Sequence, residues 1–490
     1  MKKKGLIVFI IGIFLVNYVT AADHYVRQGA SGSGTGEDWT NAYTSLPSNL
    51  VRGDTYYIAD GSYGSYIFDD PESGTEYITI KKATASDYGT DTGWQSTYGD
   101  DQAIWSYNIA FFSNYWVFDG ITGYGKDAAS YGFKILHPSS CGTTESEVRL
   151  GNYGNSVPGF YYSRLSHVEI EGCGSAYDVS QVAIDGRSRN GARPMNITIS
   201  HNYIHNIGHM LKTMNWQDGL VEYNYFEDDW SSSSNHGEAF SSDGDDNMIY
   251  RYNVFEDACT GSGCIMCIRS LSNFYVYGNV FVGTSPGGNG PVGCGSRYSC
   301  TNFKIYNNVF ANFDKIPFVS VKGEIYNNIF YNISRNINLP GSHNYNWFSG
   351  ADVIGESDGI AGENSDPFAD WQNGDFRLKV ATEPGLTLPF PYNTDPDGNT
   401  RGSDGVWDIG AYEYVSGAGP VCGDGTCEIG ETPAGCPADC KTTSTCGPAD
   451  ENSDGVVSTG ELTTYISEWK LGNVTISDLI TPISEWKNGC

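Results

Sequence analysis

Positive charge is the scarcest property of this sequence. Its 490 residues hold 28 Lys and Arg against 58 Asp and Glu, a formal net charge of −30. Nucleic acid and anionic membrane surfaces both demand a cationic footprint, so neither is an expected partner. A polyanionic ligand would need a local basic patch or bound cations to approach. Long apolar runs are also missing. After the segment Leu6 to Val16 nothing reaches the ~20 residues of a spanning helix, so no integral membrane association is expected. A nucleotide-binding loop, a nucleophile elbow and a His-Glu-x-x-His zinc motif are likewise absent.

What is present begins with an export pattern. Met1-Lys-Lys-Lys4, the short apolar run and the small residues Ala21-Ala22 read as a secretory signal peptide over residues 1–22, a retained signal anchor being the alternative. A secreted, extracellular protein, with or without attachment to the cell surface, is therefore expected. Export suits the 13 cysteines, which an oxidising compartment lets pair, with at least one left over. Abundant aromatics and 61 Gly make a strand- and turn-rich composition.

The strongest internal pattern is a repeat. An Asn followed two residues later by a large apolar residue recurs as Asn202/Ile204, Asn224/Phe226, Asn253/Phe255, Asn279/Phe281, Asn308/Phe310 and Asn328/Phe330. Successive Asn residues lie 22, 29, 26, 29 and 20 apart. Each closes a short alternating run such as Met248-Ile-Tyr-Arg-Tyr-Asn253, and alternation with β-branched and aromatic residues marks strands. Repeats of this length with no amphipathic helix between strands predict an all-β, right-handed parallel β-helix over residues 23–415. The Asn is expected to form a hydrogen-bonded ladder from coil to coil, and the residue two further on to stack inward in the core.

Residues at both ends carry a resemblance. Tyr25-Val-Arg through Tyr56-Tyr-Ile58, and Asp375-Phe-Arg-Leu378, Asp395-Pro-Asp-Gly-Asn-Thr-Arg401 and Trp407-Asp-Ile-Gly-Ala-Tyr-Glu-Tyr414, are similar to the first coil and the C-terminal cap of secreted proteins of the pectate-lyase-like β-helix superfamily. That fold hosts lyases, hydrolases, epimerases and adhesins, so it implies architecture and not activity.

Composition changes after Tyr414. Residues 416–445 hold a Gly/Ser linker and four closely spaced cysteines, Cys422, Cys427, Cys436 and Cys440, read as a disulfide module with a zinc site as the rival. Within 446–490, Asp450, Asn452, Asp454, Val456 and Glu461 fall at ligand places of the calcium loop of an EF-hand, with Gly455 at its sharp turn. Ile466-Ser-Glu-Trp-Lys470 then recurs as Ile483-Ser-Glu-Trp-Lys487. The duplicated pair resembles an α-helical dockerin, which implies a cohesin-type scaffold as partner. Only the first half carries acidic ligands, so one Ca²⁺ is expected.

Ionisable residues cluster most densely in His236-Gly-Glu238-Ala-Phe240-Ser-Ser-Asp243-Gly-Asp245-Asp246, followed on the next coil by Arg269. The cluster resembles the catalytic coils of the alginate lyase and chondroitinase B family, in which a Gly-Glu-Ala-Glu stretch binds calcium, a later Lys is the base and an Arg assists. Carried onto this chain, Glu238 is the calcium ligand and Arg269 the assisting cation. Phe240 replaces the second Glu, and acidic residues stand where the base Lys would be. His236, His209 or Lys212 must then supply the base, with Asp243 or Asp245 completing a metal site. Phe240, Trp216 and Arg251 are the expected substrate contacts. In the family's strand parity Phe240 faces outward as a sugar platform; in the opposite parity it is core and Glu238 is buried.

The leading expectation is a Ca²⁺-dependent polysaccharide lyase acting on a uronate-containing glycan. A non-catalytic glycan-binding or surface-structural protein is the alternative. A glycoside hydrolase using Glu238 with Asp245 or Asp246 is the third.

Overall fold

The computed structural model describes residues 21–106, 108–137, 146–151, 159–173, 181–187, 193–229, 237–258, 265–269, 271–283, 291–294, 300–313, 316–317, 322–333, 337–349, 355–361, 365–415 and 462. The chain divides into two units, Met1–Glu413 and Tyr414–Cys490. Residues 1–20 of the signal peptide, the cysteine module and the calcium loop Asp450 to Glu461 lie outside the described residues, as does His236. No helix among the described residues is long and apolar enough to cross a membrane.

The first unit is a parallel β-helix. Three long sheets consist wholly of parallel pairs. The first has 12 strands from Asp23–Val26 to Ser342–Asn344, the second 12 from Gly61–Tyr63 to Ile360–Ala361, and the third eight from Ile67–Phe68 to Val292–Cys294. Coils in the body of the helix visit the first, second and third sheet in turn, as in Trp116–Asp119, Phe133–Leu136 and Ser146–Leu150, and the third sheet ends before the other two. Every strand is too short to bury a core alone, so stability comes from stacking each coil on its neighbours.

The repeat seen in the sequence is the corner between the first two sheets. Each Asn side-chain amide donates to the carbonyl oxygen of the next, from Asn202 to Asn224, Asn253, Asn279, Asn308 and Asn328, at 2.9 to 3.0 Å. Asn346 adds a seventh rung at 3.0 Å. All seven are buried, where an unpaired amide would be costly. The residue before each Asn is left-handed, including Tyr223, Tyr252 and Asn307 at φ 55°, 59° and 52°. Such a residue costs about 1–2 kcal/mol, and the ladder offsets it. Behind each Asn the apolar partner turns inward, and Phe226, Phe255, Phe281, Phe310, Phe330 and Phe348 stack with centroids 4.8 to 5.3 Å apart.

A second left-handed column, Asn196, Asp218, Asn247, Asn273 and Asn302, turns the chain from the third sheet to the first. The segment expected as a C-terminal cap lies along the flank of the last coils. Leu388, Tyr392 and Trp407 pack on Tyr252, Tyr277 and Tyr306, and buried Arg401 donates to the carbonyls of Asp408, Gly410 and Ala411.

Candidate active site

The third sheet carries the ionisable cluster, and its strand parity is set by Phe240. That ring sits in the core, 4.5 Å from the Tyr250 ring centroid. Leu211 and Met266 flank it in register on neighbouring coils. Phe240 is therefore core rather than a sugar platform, the opposite of the family's parity. Its apolar ring gains more from burial than any polar neighbour on the strand would.

This parity separates the expected calcium ligands. Glu238 shares the parity of Phe240 and is buried beside His209, with Oε2 3.8 Å from Nδ1. Asp243 has the opposite parity, five residues away along one strand, roughly 16 Å at the usual strand rise. Asp245 is buried at the corner beyond, accepting from the Thr213 and Ser242 hydroxyls and from the Trp216 amide. Burial pushes its carboxyl up to about 6 against those hydrogen bonds. Glu238, Asp243 and Asp245 therefore do not form one metal site. Nor can Glu238 and Asp245 act as paired glycosidase carboxyls, which need about 5–10 Å.

Two expected substrate contacts also lie elsewhere. Trp216 is in the core, its indole N–H donating to the Gly186 carbonyl at 2.7 Å, so its ring is not open to a ligand. Arg251 is on the first sheet, bonded through Nε to Glu222 at 2.7 Å and lying over the Tyr252 ring.

The residues of the other parity face outward and form a different constellation. Arg149, Asp185, Lys212 and Ser241 stand side by side on successive coils. Two residues further along the strands, Arg187, Met214, Asp243 and Arg269 form a parallel row. Four of the chain's scarce cations thus share one face.

Their pairing differs. Asp185 holds Arg187 in a two-pronged bond, 2.8 Å to Nε and 2.5 Å to a terminal nitrogen. Half-buried Lys212 makes no hydrogen bond or ion pair among the described residues. Burial pulls its amine down to about 8, and Arg187 and Arg269 add to that, against the opposing charges of Glu238 and Asp185. Exposed Arg269 and half-buried Arg149 likewise have no acidic partner among the described residues. Arg149 lies 5.5 Å from the Phe112 ring centroid, with its Nε buried and unbonded.

Sequence reasoning offered Lys212 only as one of three substitute bases, and it missed Arg149, Asp185 and Arg187. Their coils lack the Asn signature on the sequence side, so nothing marked their register. One further group of metal-type ligands converges among the described residues, Glu169, Glu171 and His205 on the second sheet. The Lys134 ammonium already lies 2.8 Å from Glu169 and 2.6 Å from Glu171, occupying the space between the two carboxylates and balancing one of them.

No family model matches the chain, and no curated protein matches it. Among solved structures it is similar to XylC in complex with xylose, at 11% identity and a TM-score of 0.46, covering 80% of this chain and 98% of that one. It is also similar to a mutant of the PL6 family alginate lyase AlyGC, at 14% identity and a TM-score of 0.37. That match covers 63% of this chain and 48% of the lyase, about half its length. A third is pectate lyase Pel9A, at 13% identity and a TM-score of 0.38, covering 81% of this chain and 97% of that one.

Proposed function

We propose that the outward face of the third sheet is the active site of a lyase that cleaves uronate-containing glycans by β-elimination, with Lys212 as the base. One observation carries this reading: a half-buried lysine that makes no hydrogen bond or ion pair among the described residues, in a chain of net charge −30, flanked on one face by three guanidinium groups. An acidic protein gains nothing structural from such a group, whereas a lowered amine pKa is what proton abstraction near neutral pH requires.

The chemistry follows from the residues present. Arg187, fixed by Asp185, pairs with the uronate carboxylate and lowers the cost of negative charge on the adjacent ring carbon. The neutral Lys212 amine removes the proton from that carbon. The electron pair forms the new carbon–carbon double bond as the bond to the leaving glycosidic oxygen breaks. The Lys212 ammonium then returns its proton to the leaving oxygen or to solvent. No step is routed through calcium on this face, because Glu238, Asp243 and Asp245 do not converge.

The calcium expectation belongs to the tail. Asp450 to Glu461 supports one Ca²⁺ in a dockerin-like module that tethers a secreted enzyme to a cohesin-type scaffold. Calorimetric titration of the full chain should show one strong calcium site that Asp454→Ala removes; two strong sites in the tail would contradict the single loop.

The activity itself is tested by incubating the protein with alginate, pectate, chondroitin and other acidic glycans, and following the ultraviolet absorbance of unsaturated uronates. Rising absorbance with at least one of them is expected. No change with any, from folded protein that binds the glycans, would replace the lyase with the glycan-binding alternative.

A further inference from the structure

The cations on the third sheet extend past the site of proton abstraction in both directions. Arg149 lies two coils before Lys212 in the same outward row, through Asp185. Arg269 lies two coils after it, through Ser241 or Asp243 and then the strand Met266–Arg269. Parallel strands are about 4.8 Å apart, so each arginine stands roughly 10 Å along the helix axis from Lys212. Neither has a carboxylate partner among the described residues. In the same molecule Lys82, Lys134, Arg164, Arg251 and Lys379 are all ion-paired.

Arg149 is the more telling of the two. Its guanidinium is oriented by the Phe112 ring while its Nε is buried and unbonded. A guanidinium held in place with no carboxylate among the described residues is left unpaired, and a ligand carboxylate would engage its terminal nitrogens with the planar two-pronged geometry that arginine suits. Arg187, one coil from Arg149 and held by Asp185 on its own strand, is taken up by the carboxylate at the cleavage site.

We infer that Arg149 and Arg269 are carboxylate-binding subsites on opposite sides of Lys212, holding an acidic glycan that lies along the helix axis across at least five coils. This rests on the lyase reading for its consequence: a chain anchored on both sides of the base is cut internally. Released fragments should be oligosaccharides of several lengths, and the viscosity of a polymer solution should fall well before elimination is complete.

The test uses the full chain, with Arg149→Gln, Arg149→Lys, Arg269→Gln and Lys212→Met, on the polyuronates alginate and pectate. Elimination is followed by absorbance, chain length by viscosity, and binding by retardation in gels containing the same polymer. Losing one charge-assisted contact should raise KM about tenfold. In Arg149→Gln, kcat should change by less than about twofold if the contact is equal in ground and transition states, whereas Arg269→Gln also removes a charge that lowers the Lys212 pKa and should shift the pH dependence of kcat upward. Arg149→Lys should recover part of the loss. Lys212→Met should abolish elimination yet keep retardation. If wild type does not eliminate but the arginine variants still lose retardation, the subsites stand and the lyase reading falls. Undiminished retardation and KM in both arginine variants, or small terminal products with viscosity preserved, would overturn the inference.

Discussion

The outward faces of the second and third sheets use charge in opposite ways. On the second, Glu169 is bonded to Lys134, His205 and Gln102. Lys126 bridges Glu227 and Glu256, which also accept from the Tyr203 and Tyr225 hydroxyls. Both lysines there are held between carboxylates, and such a network holds coils together. On the third sheet Arg149, Lys212 and Arg269 make no hydrogen bond or ion pair to a carboxylate among the described residues. In a chain with twice as many acids as bases, unpaired cations are harder to explain structurally than any carboxylate cluster. Function is therefore sought in the unsatisfied face rather than in the denser one.

The comparison breaks most sharply at its two central residues. Lys212→Met is expected to reduce elimination roughly 10²–10⁴-fold, the usual contribution of a general base, measured as the initial rate of absorbance increase. Glu169→Gln should do the reverse. It removes one of the two carboxylates that hold half-buried Lys134, Glu171 remaining, and should cost about 1.5–3 kcal/mol in denaturant unfolding, with kcat unchanged. Equal effects of the two substitutions on rate would erase the distinction between the faces.

Asp245, at the corner of the third sheet, gives a smaller effect with a definite sign. Its folded pKa of about 6 lies above its ordinary value of 3.8. The folded chain therefore holds a proton between about pH 4 and 6 that the unfolded chain releases, and stability falls as pH rises through that window. Asp245→Asn should flatten this slope, changing stability near neutral pH by on the order of 1–3 kcal/mol. An unchanged slope would show that Asp245 is not the titrating group. Smallest of all, Lys212→Met should leave the melting temperature equal or slightly higher, since it removes a charge that burial disfavours. A marked fall would assign Lys212 to the structure instead.

The architecture was largely legible because one corner repeats. Asn and Phe two residues apart encode a turn, a ladder and a core stack at once, and each copy reinforces the others. Asn346/Phe348 obeys the same rule yet went unnoticed, because the strand before it, Ser342–Asn344, is too short to show alternation. The column Asn247, Asn273 and Asn302 was also missed, having no fixed aromatic companion.

The site was much less legible. Whether Phe240 or Ala239 faces the core decides the place of every carboxylate in the cluster. Local alternation in Glu-Ala-Phe-Ser-Ser-Asp cannot decide it, because the choice is made by Tyr250 and Phe274 on another sheet. Lys212 could be named because lysines are rare here. Arg149, Asp185 and Arg187 come from coils whose irregular spacing hid which residues share a row.

The most direct test is the pH dependence of kcat/KM for elimination by the wild-type chain. The rate should rise with a limiting pKa near the value of about 8 expected for Lys212, and Lys212→Met should lose both the rate and this rise. Elimination that persists in Lys212→Met with the same pH profile would contradict the assignment of Lys212 as the base.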